Sequence, residues 1–216
     1  MSEIAHRNVE ANGLRIHFAE AGAGPLVILC HGFPETWHSW RHQLKALAQA
    51  GYHAVAPDMR GYGQTDQPVE TDKYTLLHLV GDIVGLIDAL GADKAVIAGH
   101  DWGGPVAWHA ALLRPDRFRG VIGLSTPFYP PGRRRPTSAL PQTDEEQHYQ
   151  LYFQRPGVAE AELEDDVRLT IRAMLYSVSG DAPSRSTGGQ YKPYDGMIPR
   201  GGAFLTRLVD PPRLPS

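Results

Sequence analysis

The stretch Val96-Ile97-Ala98-Gly99-His100-Asp101-Trp102-Gly103-Gly104 decides the fold. An apolar run, Ala95 to Ala98, enters it, and a helix-forming run from Gly103 to Leu113 leaves it, with Pro115 beyond the helix end. Small residues stand two before and two after Asp101. That is the spacing of a nucleophile elbow, a tight strand-to-helix turn that lifts one side chain above the sheet. Gly99 and Gly103 are required there because bulk would collide with neighbouring backbone. The helix from Gly103 points its positive end at Asp101 and favours the ionised carboxylate. The competing reading makes Asp101 an ordinary helix N-cap, a role aspartate fills well.

The segments on either side repeat the same strand-then-helix rhythm. Asn8 to Ala11 and Leu14 to Glu20 flank Asn12-Gly13, a hairpin signal. Pro25 to Cys30 is a continuous apolar run, expected of a strand buried on both faces. Trp37 to Ala50 reads as a helix, His53 to Ala56 as a second buried strand, Leu76 to Leu90 as an amphipathic helix closed by Gly91, and Val121 to Leu124 as a fourth buried strand. Strands alternating with helices predict an α/β protein with a doubly wound, mostly parallel sheet and right-handed crossovers. Four parallel strands are expected near 26–30, 53–57, 95–99 and 120–125, with 26–30 between 53–57 and 95–99. The strand at Val121 to Leu124 is expected to present an unpaired apolar edge.

A second motif, His31-Gly32-Phe33-Pro34, directly follows the strand ending at Cys30. Beside an elbow, that loop supplies half of an oxyanion hole, assigned to the backbone N–H groups of Phe33 and Trp102. Gly32 and Pro34 would fix the loop so that the Phe33 N–H points inward. His31 and His100 are read as packing beside this loop, with His100 turned back into the core because it precedes the elbow residue. Asp58-Met59-Arg60-Gly61-Tyr62-Gly63 follows the next strand and is read as tying loops around the site.

After Ser125 the pattern changes. Pro127, Pro130, Pro131, Gly132, Pro136 and Pro141 break regular structure, and two helical stretches follow, Glu145 to Phe153 and Ala159 to Ser177. From Ser179 the chain is rich in Gly and Pro, with an apolar patch at Ala203 to Val209 and no further buried strand expected. Residues 1–126 are therefore read as the core and 127–216 as part of an inserted helical lid. The run Arg133-Arg134-Arg135 lacks interleaved aromatics and is read as a solvated loop.

Composition narrows the function classes. The 216 residues carry a formal net charge of −3, which offers no general attraction to nucleic acid or anionic membrane. The N-terminus lacks the apolar run of a signal peptide, and no stretch has transmembrane length. With Cys30 the single cysteine, neither an intrachain disulfide nor a cysteine zinc cluster is possible, and no cofactor or metal is expected. The expected location is cytoplasmic and the expected partner a small molecule.

Three stretches, HGFPETWHSW (His31 to Trp40), DMRGYGQTD (Asp58 to Asp66) and GHDWGGPVAW (Gly99 to Trp108), resemble the epoxide hydrolases of the α/β-hydrolase superfamily. The segment YQLYFQRPGVAEAELEDD (Tyr149 to Asp166) is similar to the lid of the soluble members. The resemblance implies that Asp101 attacks, that Phe33 and Trp102 form the oxyanion hole, and that Tyr149 is one of two lid tyrosines that hydrogen-bond the epoxide oxygen. Tyr152, one helical turn away, is the weaker candidate.

The chain also departs from the family pattern, whose order is nucleophile, acid, histidine. The only histidines after Asp101 are His109 and His148, neither on a late loop after a strand. The acid, the second lid tyrosine and the last strands have no counterpart, and the expectation is a fragment or prematurely terminated product. Two alternatives stand beside epoxide hydrolysis. One is a dehalogenase using the same aspartyl ester, although Phe33, Trp102 and Pro105 stand where halide-holding or arginine residues are expected. The other is a non-catalytic remnant.

Overall fold

The computed structural model describes residues 3–130, 132, 135–182 and 196–208. Arg133 and Arg134 of the basic run, Val209 of the apolar patch and the segment from Pro211 to Ser216 lie outside them. Contacts divide the chain into two compact units, Met1–Tyr129 and Pro130–Ser216.

The first unit is built on a six-stranded sheet. Its strands are β1 (Ala5–Ala11), β2 (Leu14–Ala21), β3 (Leu26–Cys30), β4 (His53–Pro57), β5 (Ala95–His100) and β6 (Phe118–Leu124), in the order β1-β2-β4-β3-β5-β6. β4, β3, β5 and β6 run parallel, and the β1–β2 hairpin joins them antiparallel through β4. The expected placement of 26–30 between 53–57 and 95–99 is the one observed. Side chains on β3 alternate between two cores. Leu26, Ile28 and Cys30 pack with Phe18, Ile83, Leu86, Ile97 and Val106 beneath α2 (Leu76–Ala89) and α3 (Gly103–Leu113). Val27 and Leu29 pack with Trp40, Leu44, Ala54 and Ala56 beneath α1 (Arg41–Gln49). Each such fully buried aliphatic chain contributes about 1.5–3 kcal/mol. Register then aligns the C-terminal ends of the strands, with Cys30 opposite Gly99. The loops after β3, β4 and β5 therefore leave the sheet side by side, where ligands bind in open α/β sheets.

The two sheet edges differ. β1 exposes His6, Arg7, Asn8 and Glu10, polar groups that discourage strand addition. β6, the outermost strand on the other side, leaves Ile122 51% and Leu124 39% exposed, the apolar edge expected from the sequence.

Helix boundaries shift slightly. The segment read as one helix from Trp37 begins with a 3-10 turn, Trp37–Trp40, whose cap residue Thr36 accepts the His38 N–H at 3.4 Å.

The second unit corrects the reading more strongly. Glu145 to Phe153 is not one helix. Strand β7 (Glu146–His148) pairs antiparallel with β8 (Met197–Pro199), and only a single turn, α4 (Tyr149–Tyr152), follows. The Tyr149 N–H donates to Gly196 O at 2.7 Å, so the turn starts where the second strand arrives. β8, with Ile198 fully buried, is also the later strand that the sequence pattern did not disclose. The stretch from Ala159 to Ser177 is two helices, α5 (Val158–Leu163) and α6 (Val167–Ser177). The break falls at Glu164-Asp165-Asp166, where the Asp166 carboxylate accepts the Leu169 N–H at 2.9 Å and caps the second helix.

Among the described residues, no helix is long and apolar enough to cross a membrane.

Candidate active site

Asp101 follows β5 at a left-handed φ of 51°, a strained conformation for a residue with a side chain. Its surroundings hold that conformation in place. A Cβ on Gly99 would lie 2.0 Å from Gly103 O, and one on Gly103 would lie 2.2 Å from Cys30 O. The turn therefore closes only with glycine at both places. The Gly104 N–H donates to Asp101 O at 3.0 Å, and the Thr126 hydroxyl donates to the same oxygen at 2.9 Å. Thr126, at the exit of β6, was not singled out in the sequence. Its distance of 25 residues from Asp101 hides it, because only the β5–β6 register brings the two together.

The Asp101 carboxylate does not cap α3. The cap position is Trp102, which makes no side-chain cap bond. Instead, Asp101 Oδ1 accepts the Phe33 N–H at 3.0 Å across the gap between the loops after β5 and β3. Gly32 permits this approach, since a Cβ there would lie 2.4 Å from Asp101 Cβ. Pro34 follows Phe33 through a cis peptide bond. Among the described residues, Phe33 alone donates to this carboxylate, and Oδ2 accepts no hydrogen bond. The Trp102 side chain is half exposed and helps line a cavity of about 200 Å³ with His31, Met59, Tyr62, Leu79 and Val106.

His31 is 2% exposed and both its ring nitrogens are engaged. Nε2 accepts the Met59 N–H at 2.9 Å, which leaves Nδ1–H to donate to Gly32 O at 2.8 Å. Burial holds its pKa below the ordinary 6.5. Burial also raises the Cys30 thiol to about 12, which leaves it inert beneath the site.

His100 does not turn back into the core. Its side chain is 38% exposed, with Nδ1 3.2 Å from Glu35 Oε2, and it lines a groove with Ser39, Trp40, Gln43 and Leu124. Alternation along β5 puts it on the face of Ala98, but at the strand's last residue, beyond the cover that buries Ala98. Glu35 is the main omission of the sequence reading. Its carboxylate also accepts the Gly32 N–H at 3.0 Å and so braces the loop that carries Phe33. The signal was present as Gly32-x-x-Glu35, the spacing at which a capping-box glutamate reaches back to a backbone N–H.

In the second unit, Tyr152 is 3% exposed and its hydroxyl donates to Glu162 at 2.6 Å. Glu162 also accepts the Phe204 and Leu205 N–H groups. Burial and this carboxylate push the Tyr152 phenol up to about 12, so Tyr152 is committed to structure. Tyr149 lies in an aromatic cluster with His148, Phe153 and Phe204, and its hydroxyl accepts from Gln150 Nε2 at 3.4 Å.

A family model described as the alpha/beta hydrolase fold matches residues 25–188. The chain belongs to that family. Within it, the chain is 44% identical over 193 residues to an epoxide hydrolase of Caballeronia sordidicola, covering 89% of this chain and 57% of that protein. It is 43% identical over 219 residues to epoxide hydrolase A of Mycobacterium tuberculosis, covering 100% of this chain and 66% of that one. A solved epoxide hydrolase from an endophytic Streptomyces superposes with a TM-score of 0.89 at 45% identity, over 99% of this chain and 63% of that chain. Epoxide hydrolase A from Mycobacterium thermoresistibile gives a TM-score of 0.86 at 44% identity, over 99% and 66%. This α/β-hydrolase chain thus spans roughly 57–66% of the length of these relatives.

Proposed function

We propose that this α/β-hydrolase chain carries the nucleophile of an epoxide hydrolase, and that Asp101 opens the epoxide through a covalent ester. One observation supports this above the others. Asp101 Oδ1 is held by the Phe33 N–H at 3.0 Å, while Oδ2 accepts from no donor among the described residues. The carboxylate is thereby divided into an anchored oxygen and a reactive one. A carboxylate needs no base to attack.

In the first step Oδ2 bonds to an epoxide carbon and the carbon–oxygen bond of the ring breaks. The ring oxygen takes a proton from a phenol, for which Tyr149 is the candidate. The ester carbonyl oxygen is then Oδ1, already opposite the Phe33 N–H. In the second step water adds to that carbonyl carbon. The developing oxyanion is stabilised by Phe33 N–H, joined by Trp102 N–H. A base takes the proton of the water, the bond from the carbonyl carbon to Oδ2 breaks, and the vicinal diol leaves carrying Oδ2 with a proton passed from that base. Solvent reprotonates the tyrosine phenolate as the regenerated carboxyl loses its proton.

Water addition needs a general base; of the described histidines near the elbow, His100 turns its Nδ1 to Glu35 Oε2 at 3.2 Å. His31 is bonded through both ring nitrogens, and His109 Nδ1 lies 2.7 Å from Pro105 O along α3. A polypeptide of these 216 residues is therefore expected to stop at the ester, since losing a base slows such steps by about 100- to 10,000-fold.

Styrene oxide consumption by the purified chain tests this. The expected result is one equivalent consumed per chain and almost no diol. Tyr149→Phe should slow that consumption by about 100-fold or more, the usual size of general-acid catalysis. Chloride release from a chloroalkane with no uptake of epoxide would replace this reading with dehalogenation.

A further inference from the structure

The loop that presents Phe33 is held at both ends by consecutive residues after β4. Asp58, 2% exposed, accepts the Trp37 N–H on Oδ1 at 3.0 Å. Met59 donates its N–H to His31 Nε2 at 2.9 Å, at the loop's entry. Asp58 Oδ2 accepts the Gln64 N–H at 3.0 Å and lies 2.7 Å from His17 Nδ1. His17 is 1% exposed, and its Nε2 lies 3.1 Å from Nδ1 of His6 on β1. The two imidazoles are stacked, with centroids 5.3 Å apart and 9° between planes. His6 is exposed and stands edge-on to Trp37 at 4.6 Å. A continuous chain of contacts therefore runs from a surface imidazole to the backbone of the oxyanion loop.

Hydrogen-bond counting constrains its protons. Main-chain N–H groups only donate, so Asp58 accepts from Trp37 and Gln64. Its remaining contact takes the proton on His17 Nδ1. Between His17 Nε2 and His6 Nδ1 there is room for one proton. With the pair neutral, His6 donates to His17. With one proton added, either ring donates to the other, and the added charge offsets the Asp58 carboxylate, whose only ion-pair partner among the described residues is His17. With both rings fully protonated, two N–H groups and two cations would face each other at 3.1 Å, and the contact must break. The other titratable groups around this chain are His31 and Glu35 on the oxyanion loop side and His38, edge-on to Trp37. Asp66, which accepts the Arg15 N–H, flanks it on the β2 side.

We propose that His6, His17 and Asp58 form a proton-sharing latch that positions the oxyanion loop, closed while the two imidazoles share at most one added proton and open when each carries its own. The three are positioning residues, since they act on Phe33 through the Trp37 backbone. The latch itself does not depend on the epoxide reading. Only the labelling arm of its test does.

The test follows the ring nitrogens of His6 and His17 by NMR in the full chain on acidification from pH 8 to pH 5. The N–H···N bond between the two rings should be detected while they share a proton and vanish once each carries its own. With its loss, amide protection at Trp37 and Gln64, corrected for intrinsic exchange, should fall roughly tenfold. His6→Phe keeps an aromatic ring against Trp37 but has no nitrogen. In it, the acid loss of protection should disappear. Styrene oxide labelling should slow as the bond between the rings is lost in the parent chain and not in His6→Phe. A bond between the rings that persists with both doubly protonated overturns the latch, as does protection at Trp37 and Gln64 that is unchanged by its loss. Loss of the bond and acid exchange without any labelling would uphold the latch and count against the epoxide reading instead.

Discussion

Two aspartates leave the C-terminal ends of the parallel strands, Asp58 after β4 and Asp101 after β5, with β3 between them. Asp58 is filled to capacity, since Trp37, Gln64 and His17 all approach its carboxylate within 3.0 Å. Among the described residues Asp101 has a single donor, the Phe33 N–H, on one oxygen. Asp58 sits in ordinary backbone, whereas Asp101 is held at positive φ by a turn that only Gly99 and Gly103 allow. Saturation spreads the charge of Asp58 over fixed donors and makes it structural. On the proposed reading, the oxygen of Asp101 that has no donor among the described residues is the one that reacts. Chemical type does not separate these two side chains; the number of donors aimed at each does.

The sharpest way to break this comparison is to neutralise each aspartate in turn. Asp101→Asn should abolish epoxide labelling, because an amide is a poor nucleophile, while the denaturant midpoint stays near that of the parent. Asp58→Asn should act mainly on stability. It turns one oxygen of a buried carboxylate into a donor facing donors, for which a loss of about 1–3 kcal/mol is usual, with labelling slowed but still present in the fraction that folds. Equal effects of the two on labelling per folded molecule would erase the distinction.

A subtler variant leaves both aspartates intact. In Gly32→Ala the new methyl must displace Asp101 Cβ, which it would meet at 2.4 Å. Labelling should fall by roughly 100-fold, as for small displacements of a reacting group. Unchanged labelling would show that the Phe33–Asp101 approach is dispensable.

The smallest effect concerns pH. Burial keeps His31 neutral in the fold, with its pKa below 6.5. Between that lowered value and 6.5 the unfolded chain binds the extra proton, so stability rises with pH there. The contribution of His31 is complete above 6.5 and is lost as pH falls through the folded value. A tenfold difference in proton affinity between the folded and unfolded chain is worth about 1.4 kcal/mol. Denaturant midpoints at pH 7.5 and 5.5 should differ less in His31→Asn than in the parent.

The sheet was legible because strands buried on both faces are unbroken apolar runs, as at Leu26 to Cys30 and Ala95 to Ala98, and the elbow because its glycines occupy fixed offsets from Asp101. The second unit was not. β7 and β8 are three residues each, too short for any periodicity, and they pair across a separation of about fifty residues, as at His148 and Met197. Around the site, Thr126 was hidden because it acts on Asp101 O across 25 residues that only the β5–β6 register brings together, whereas Glu35 left a local trace in its three-residue spacing from Gly32. His100 was misplaced because alternation gives the face of a strand residue but not how far the covering helix extends.

The division of the Asp101 carboxylate into an anchored and a reactive oxygen is tested most directly by locating the bond it forms. The chain is incubated with styrene oxide, digested, and the modified peptide sequenced by mass spectrometry. A single adduct on the Asp101 side chain, absent from Asp101→Asn and present in Asp58→Asn, is the predicted result. An adduct on any other residue, or one that persists in Asp101→Asn, would contradict it.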